Sequence, residues 1–258
     1  MSDWNAALYL KFERDRTRPV IDMLTQLPLK APQSILDLGC GPGNSTEHLV
    51  QRFDRATVTG LDSSPDMLRK ARERLPQVTF RQADILTWSP ERPFDLVFAN
   101  AVLQWIPGHA ELFPRMLSWL SADGCLAVQM PDNLDEPSHA LMRETALTGP
   151  WREKFNDIEA LRERIAPMES YYSWLSGKGA EVDIWKTTYG HVLDGPGAIV
   201  EWLKSTGLRP YLDRLDEGEQ SAFLERYEAA LADAYPRQSD GRVLLRFPRL
   251  FMVAIQGG

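Results

Sequence analysis

The sequence predicts an α/β fold, a mostly parallel sheet with helices on both faces. Three observations carry this. Apolar runs of five or six residues recur between residues 34 and 130, amphipathic helical stripes lie between them, and a glycine-rich turn joins the first run to the first stripe. Strands that alternate with helices pair in parallel, because each helix returns the chain to the same edge of the sheet.

Each element has its own signal. Trp4, Leu8, Tyr9 and Phe12 share one helical face, and Val20, Met23, Leu24 and Leu27 share the next, so residues 1–30 read as an N-terminal helical segment. Residues 34–38 (Ser-Ile-Leu-Asp-Leu) form a buried-strand run ending in glycines. Residues 44–53 are helical, 57–61 a strand, 63–75 a helix with Pro65 in its first turn, 78–82 a strand and 94–99 a strand. Leu112, Phe113, Met116, Leu117 and Leu120 make the stripe of a helix over 109–120, which Gly124 closes before a strand at 125–130. The rhythm then breaks. Residues 137–176 read as helical and rich in aromatic side chains, 182–189 as a strand, 196–205 and 217–234 as helices, and 243–255 as a last strand whose Pro248 suggests a bulge or a sheet edge. The expected organisation is one domain over 1–258, with helical inserts at 131–178 and 195–236 above the active site.

Composition narrows the function. The 258 residues carry 29 Lys+Arg against 36 Asp+Glu, a net charge of −7. An acidic chain is a poor general partner for nucleic acid, which demands clustered positive charge. Two cysteines, Cys40 and Cys125, are too few for a disulfide framework and do not form a metal-like pair, so no metal is expected. The start lacks the basic and apolar regions of a secretory signal, and no apolar stretch approaches the ~18 residues of a membrane span. A cytoplasmic location without membrane attachment follows as the expectation.

The chemistry concentrates at residues 35–46, Ile-Leu-Asp-Leu-Gly-Cys-Gly-Pro-Gly-Asn-Ser-Thr, between the first strand and the first helix. Open α/β sheets bind ligands at this edge. The glycines stand at 39, 41 and 43 with Asn44 beyond, a spacing that fits a dinucleotide pyrophosphate cradle poorly, and no Gly-Lys-Ser/Thr follows. Asp62, ending the second strand, is placed to accept hydrogen bonds from ribose hydroxyls, or else to cap the following helix. Asp84, after the third strand, can bind an exocyclic amine of adenine with Ile85 beside the ring, or can be a turn aspartate. Asn100 ends the fourth strand at the same edge.

These segments, Leu36 to Gly43, Gly60-Leu61-Asp62, Ala83-Asp84 and Phe94 to Val97, taken in order, resemble the class I methyltransferases that use S-adenosylmethionine. The resemblance implies a Rossmann-like, seven-stranded sheet whose last strand is antiparallel. It implies that Gly39 and Gly41 approach the methionine part of the cofactor, that Asp62 holds the ribose with Met67 near the adenosine, that Asp84 and Ile85 recognise adenine, and that Asn100 lies beneath the sulfonium. Asp37, Cys40, Ser63 and Trp105 complete the expected cofactor set, and S-adenosylhomocysteine is the implied product. Gly149-Pro150-Trp151, Tyr171-Tyr172, residues 185–189, 201–210 and 247–251, with the start at Trp4, carry a narrower resemblance, to members of that family that esterify one carboxylate of trans-aconitate.

A carboxylate acceptor suits the residues. It is ionised at neutral pH, so its methylation needs no general base, and His48, His109, His139 and His191 are scattered. The enzyme's task is alignment and exclusion of water. A polycarboxylate needs cationic partners, for which Arg is best shaped. Lys204, Arg209 and Arg246 are the chosen candidates from a wider set including Arg14, Arg18, Arg143 and Arg152, with Trp4, Tyr9, Tyr171 and Tyr172 as an aromatic roof. Three other readings stay open: a methyltransferase for a carrier-protein-bound acyl group, a nicotinamide-dependent oxidoreductase, and a non-catalytic S-adenosylmethionine sensor. The number of subunits, the carboxylate chosen and any lid motion are not set by the sequence.

Overall fold

Seven strands form in chain order: β1 (Ser34–Leu38), β2 (Thr57–Asp62), β3 (Thr79–Gln82), β4 (Phe94–Asn100), β5 (Leu120–Pro131), β6 (Glu181–Leu193) and β7 (Val243–Ile255). They lie in one sheet in the order β3-β2-β1-β4-β5-β7-β6. The first five are mutually parallel, with Asp37 beside Gly60 and Asn100 beside Gln129. β7 runs the other way. Asp132 donates its backbone N–H to Pro248 and Gln256 donates to Gly124, so residue numbers rise on one strand as they fall on the other. The structure is a computed structural model and describes residues 13–204 and 206–257. Trp4 and Tyr9 lie outside the described residues.

Helices follow from the caps and stripes. The first six are α1 (Glu13–Gln26), α2 (Asn44–Arg52), α3 (Pro65–Arg74), α4 (His109–Leu117), α5 (Pro137–Thr148) and α6 (Met168–Ser176), and α7 (Pro196–Lys204), α8 (Arg209–Leu212) and α9 (Glu217–Ala234) follow. α2 begins at Gly43, whose φ of 89° is costly for any residue with a Cβ. α3 starts at Ser64, which accepts the Met67 N–H, with Pro65 in the first turn where its missing N–H costs nothing. α9 opens with a reciprocal capping box between Asp216 and Glu219.

Three elements differ from expectation. β5 begins at Leu120, because the chain loops out between Leu120, opposite Phe94, and Cys125, opposite Leu96. The helical run expected over 137–176 breaks after α5 into two short 3₁₀ turns, Arg152–Phe155 and Ile158–Leu161, before α6 resumes. Gly149-Pro150 and Pro167 each remove helical continuity there. β7 is an interior strand rather than an edge, and Pro248 joins the sheet through its carbonyl.

The described residues group into two compact units. One comprises Arg16–Pro131, Ile165–Thr187 and the residues from Leu250 onward; the other comprises Asp132–Arg164 and Thr188–Arg249. The first holds the parallel strands, and its core joins Leu36, Leu38, Val97 and Val128 of the sheet to Phe113 and Met116 of α4 and to Tyr171 and Leu175 of α6. The end of the expected insert at 131–178 therefore packs on the sheet core. The second unit has its own core, with Trp202, Phe223, Tyr227 and Phe155 fully or almost fully buried.

Candidate active site

The C-terminal edge of β1, β2 and β4 is where the chain turns most sharply. Gly39, Gly41 and Gly43 all adopt positive φ, and so does Ala101, the residue after Asn100. A left-handed non-glycine residue costs about 1–2 kcal/mol, and such strain concentrates at functional sites. A Cβ on Gly41 would meet nothing within 4 Å, so this glycine faces open space.

Asp62 ties this edge together. Its Oδ2 accepts the Gly41 N–H at 2.9 Å and its Oδ1 accepts the Ser64 N–H at 2.8 Å. The helix cap is supplied by Ser64, which leaves Asp62 to fix the glycine loop while keeping lone pairs on both oxygens. Ser63 is exposed and Met67 half-buried on the next turn. Asp84 is exposed at the end of β3; its Oδ1 accepts the Leu86 N–H at 2.8 Å, which shapes the turn and leaves Oδ2 available. Ile85 is buried in the sheet core. Asn100, at the end of β4, has a buried Oδ1 without a hydrogen-bond partner, an unmet acceptor that a ligand donor would satisfy. Trp105, on the 3₁₀ turn Leu103–Trp105, is 43% exposed. The glycine loop, Asp62, Asp84 and Asn100 thus line the ends of adjacent strands, a donor and acceptor set that fits an adenosine-bearing cofactor.

Two expected members stand elsewhere. Cys40 is buried among Leu68, Ala71, Leu75 and Phe80, and burial pushes its thiol pKa up, so its side chain is a core group and only its backbone borders the loop. Asp37 is wholly buried; it accepts the Thr46 hydroxyl at 2.7 Å on Oδ2, and its Oδ1 has no partner. Burial first, and the negative charge of Asp62 after it, raise its pKa from 3.8 to about 7 against the lowering effect of Thr46.

The expected roof is corrected in one place. Tyr171 is 0% exposed. Its hydroxyl lies 2.6 Å from His109 Nδ1 and accepts the Ala166 N–H, while His109 Nε2 lies 2.9 Å from the Leu103 carbonyl. A carbonyl can only accept, so His109 carries a proton on Nε2 and donates it to Leu103. Tyr171 is therefore a core strut for the Leu103–Trp105 turn, while Tyr172 is 51% exposed. Lys204 is exposed on α7. Arg209 pairs with Asp213 at 3.6 Å, and Arg246 with Glu136 at 3.4 Å. Among the described residues no three His, Cys, Asp or Glu side chains gather as metal ligands, and no helix is long and apolar enough to cross a membrane.

The architecture is shared with solved structures. The YcgJ protein from Bacillus subtilis superposes with a TM-score of 0.60 at 14% identity, covering 93% of this chain and 99% of that one. Phosphoethanolamine N-methyltransferase 2 of Haemonchus contortus, solved with phosphomonomethylethanolamine and S-adenosylhomocysteine, superposes with a TM-score of 0.58 at 18% identity, covering 93% of this chain and 53% of that one. A family model described as a methyltransferase domain matches residues 35–124, the span from β1 to the start of β5. The fold is that of a class I methyltransferase. A trans-aconitate 2-methyltransferase of Methylobacterium nodulans is 59% identical over 254 residues, 98% of each chain. One from Rhodopseudomonas palustris is 53% identical over 256 residues, 99% of this chain and all of that one. The chain belongs to the trans-aconitate 2-methyltransferase family.

Asp62→Ala is expected to weaken S-adenosylhomocysteine binding by about 10- to 100-fold, because it strips an acceptor from two loop N–H groups. Titration calorimetry reads this directly, and an unchanged affinity removes Asp62 from the site.

Proposed function

We propose that the chain transfers the methyl group of S-adenosylmethionine to one carboxylate of trans-aconitate, giving a monomethyl ester and S-adenosylhomocysteine, in the cytoplasm. The observation that carries this is likeness to named relatives along nearly the whole chain, inserts included. The inserts are where acceptor specificity resides in a fold whose sheet edge serves the cofactor.

When bound, the cofactor supplies an electrophilic methyl on a sulfonium. Gly39 and Gly41 would border its methionine part, Asp62 its ribose, Asp84 its adenine amine, and Asn100 would offer its unmet Oδ1 beneath the reacting end; Ser63, Met67 and Trp105 flank them. The protein's own work is to hold and orient. The acceptor carboxylate, with a pKa near 4, is already an anion, and no side chain need take a proton from it. Orientation of two reactants can supply ~7–11 kcal/mol. Desolvation of the acceptor anion is offset only if its other carboxylates find cationic partners.

Incubation with S-adenosylmethionine and trans-aconitate should yield, by mass spectrometry, a product one methyl heavier in step with S-adenosylhomocysteine. No turnover of trans-aconitate alongside rapid turnover of another acid would sink the substrate assignment, and turnover only of an acyl carrier protein would favour the carrier-bound reading.

A further inference from the structure

Asp84 sits on a turn beyond the end of β3. Asp84, Leu86 and Thr87 are exposed there, and Ile85 is buried. The turn's internal bonds are local. The Thr87 and Trp88 N–H groups donate to the Asp84 carbonyl at 3.1 and 2.9 Å, and the Leu86 N–H donates to Asp84 Oδ1 at 2.8 Å. Short exposed turns open easily unless they are tied from outside. α4 supplies a tie. Arg115, in its last turn, donates from Nη1 to the Leu86 carbonyl and from Nη2 to the Ile85 carbonyl, each at 2.6 Å. Its partners lie 29 and 30 residues away in sequence.

This geometry is more than a surface arginine requires. A basic residue near the C-terminal end of a helix ordinarily serves that helix's own last carbonyls. Both terminal nitrogens of Arg115 instead leave the helix for two successive carbonyls of another segment. Its Nε is buried without a hydrogen-bond partner, which costs free energy. Its guanidinium lies over the Trp119 ring at 5.6 Å, and Trp119 meets Trp88 edge-on at 5.5 Å, so the grip is braced from the side. The carbonyl of Ile85 and the N–H of Leu86 belong to one rigid peptide plane. Arg115 holds one end of that plane, and Asp84 Oδ1 receives the other. Charge-assisted bonds are strong, and bonds in series polarise one another. The guanidinium therefore sets the place of the Asp84 carboxylate, and with Oδ1 engaged it fixes the direction left to Oδ2. All of these residues lie in the first compact unit. At its other end α4 grips the turn after β4 through His109 and the Leu103 carbonyl, so one helix ties two turns at the strand ends.

We infer that Arg115 is a positioning residue for adenine recognition: through the Ile85–Leu86 peptide it holds Asp84 so that Oδ2 meets the exocyclic amine of the cofactor. This rests on the assignment of Asp84 to adenine above and adds the group that aims the carboxylate.

The test is calorimetry of S-adenosylhomocysteine against S-inosylhomocysteine, in which a carbonyl replaces the exocyclic amine. Wild type should prefer the first about 10- to 100-fold, as expected for a hydrogen bond to a charged acceptor. Asp84→Ala should remove most of that preference. Arg115→Met, which keeps an apolar side chain beside Trp119 but no donors, should cut it to within about threefold, with most of the loss on S-adenosylhomocysteine. Added to Asp84→Ala, Arg115→Met should change the remaining preference no further, because both act on one contact. Equal weakening of the two ligands by Arg115→Met overturns the assignment, since a residue that only props the fold does not tell an amine from a carbonyl. Additive effects in the double variant overturn it too. If Arg115→Met does not fold, Arg115→Lys carries the same test, because lysine keeps the charge but not the two-pronged grip. A preference lowered in that variant sustains the assignment, and an unchanged one ends it. If wild type shows no preference, or Asp84→Ala keeps it, the adenine role of Asp84 falls first and takes Arg115 with it. Collapse in Asp84→Ala without any in the Arg115 variants removes Arg115 alone.

Discussion

Gly39→Ala is expected to lower the stability of the protein by roughly 2–5 kcal/mol, a fall of roughly 5–15 °C in the thermal midpoint. Two costs add. Gly39 sits at φ +63°, where a side chain is strained, and a Cβ there would stand 2.2 Å from Val102 Cγ2 and 2.5 Å from Val102 Cβ. Val102 cannot step aside easily, because Leu103 beside it is fully buried and the Leu103 carbonyl is held by His109. Gly41→Ala is the informative contrast. At φ +53° with nothing within 4 Å of its Cβ, it should cost only about 1 kcal/mol of stability, yet it should weaken cofactor binding more than Gly39→Ala does per degree of midpoint lost. The double variant Gly39→Ala, Val102→Ala should recover a large part of the midpoint, since it deletes the clashing methyls. Equal midpoints for Gly39→Ala and Gly41→Ala, or no recovery in the double variant, would contradict the close approach between the glycine loop and the turn after β4.

What could be read from residues alone follows from where each signal is local. The strands at 34–38, 57–62, 79–82 and 94–100 are short apolar runs bounded by polar turns, and period decides them. Asp62, Asp84 and Asn100 stand at strand ends in known order, so their common edge follows from βαβ connectivity. The failures are tertiary. Nothing in the pair Tyr171-Tyr172 says which ring is buried; α6 turns one toward Phe113 and Trp174 and the other outward. Cys40 looks like a loop residue, and it is buried because Gly60, lacking a side chain, leaves room beside Phe80. Arg162 has no motif, since its hydrogen-bond partner Asn133 is 29 residues away in sequence.

As pH rises from about 4 to 7, the stability of the cofactor-free protein should fall relative to that of its Asp37→Asn variant. In the folded chain Asp37 keeps its proton up to about pH 7, whereas its ordinary value is 3.8. Between those values the native state binds a proton that the unfolded chain has released, so raising the pH favours unfolding. A displacement from 3.8 to about 7, at 1.36 kcal/mol per pH unit, is worth on the order of 4 kcal/mol. Asparagine matches the protonated form: one oxygen can still accept the Thr46 hydroxyl, and nothing titrates. Buried His139, with its pKa lowered to about 3, gives the opposite slope below about pH 6.5, but it does so in both proteins and drops out of their difference. Urea titrations at several pH values therefore read Asp37 through the difference, and parallel slopes would refute its raised pKa. The same carboxyl links to function. S-adenosylmethionine carries positive charge, and a cation brought to the loop between Asp37 and Asp62 favours the ionised acid. Binding near pH 6.5 should then release a proton from wild type and none from Asp37→Asn, measurable by calorimetry in two buffers of different ionisation enthalpy, with affinity rising as pH climbs toward 8. Proton release that is equal in the two proteins would move the linked group elsewhere.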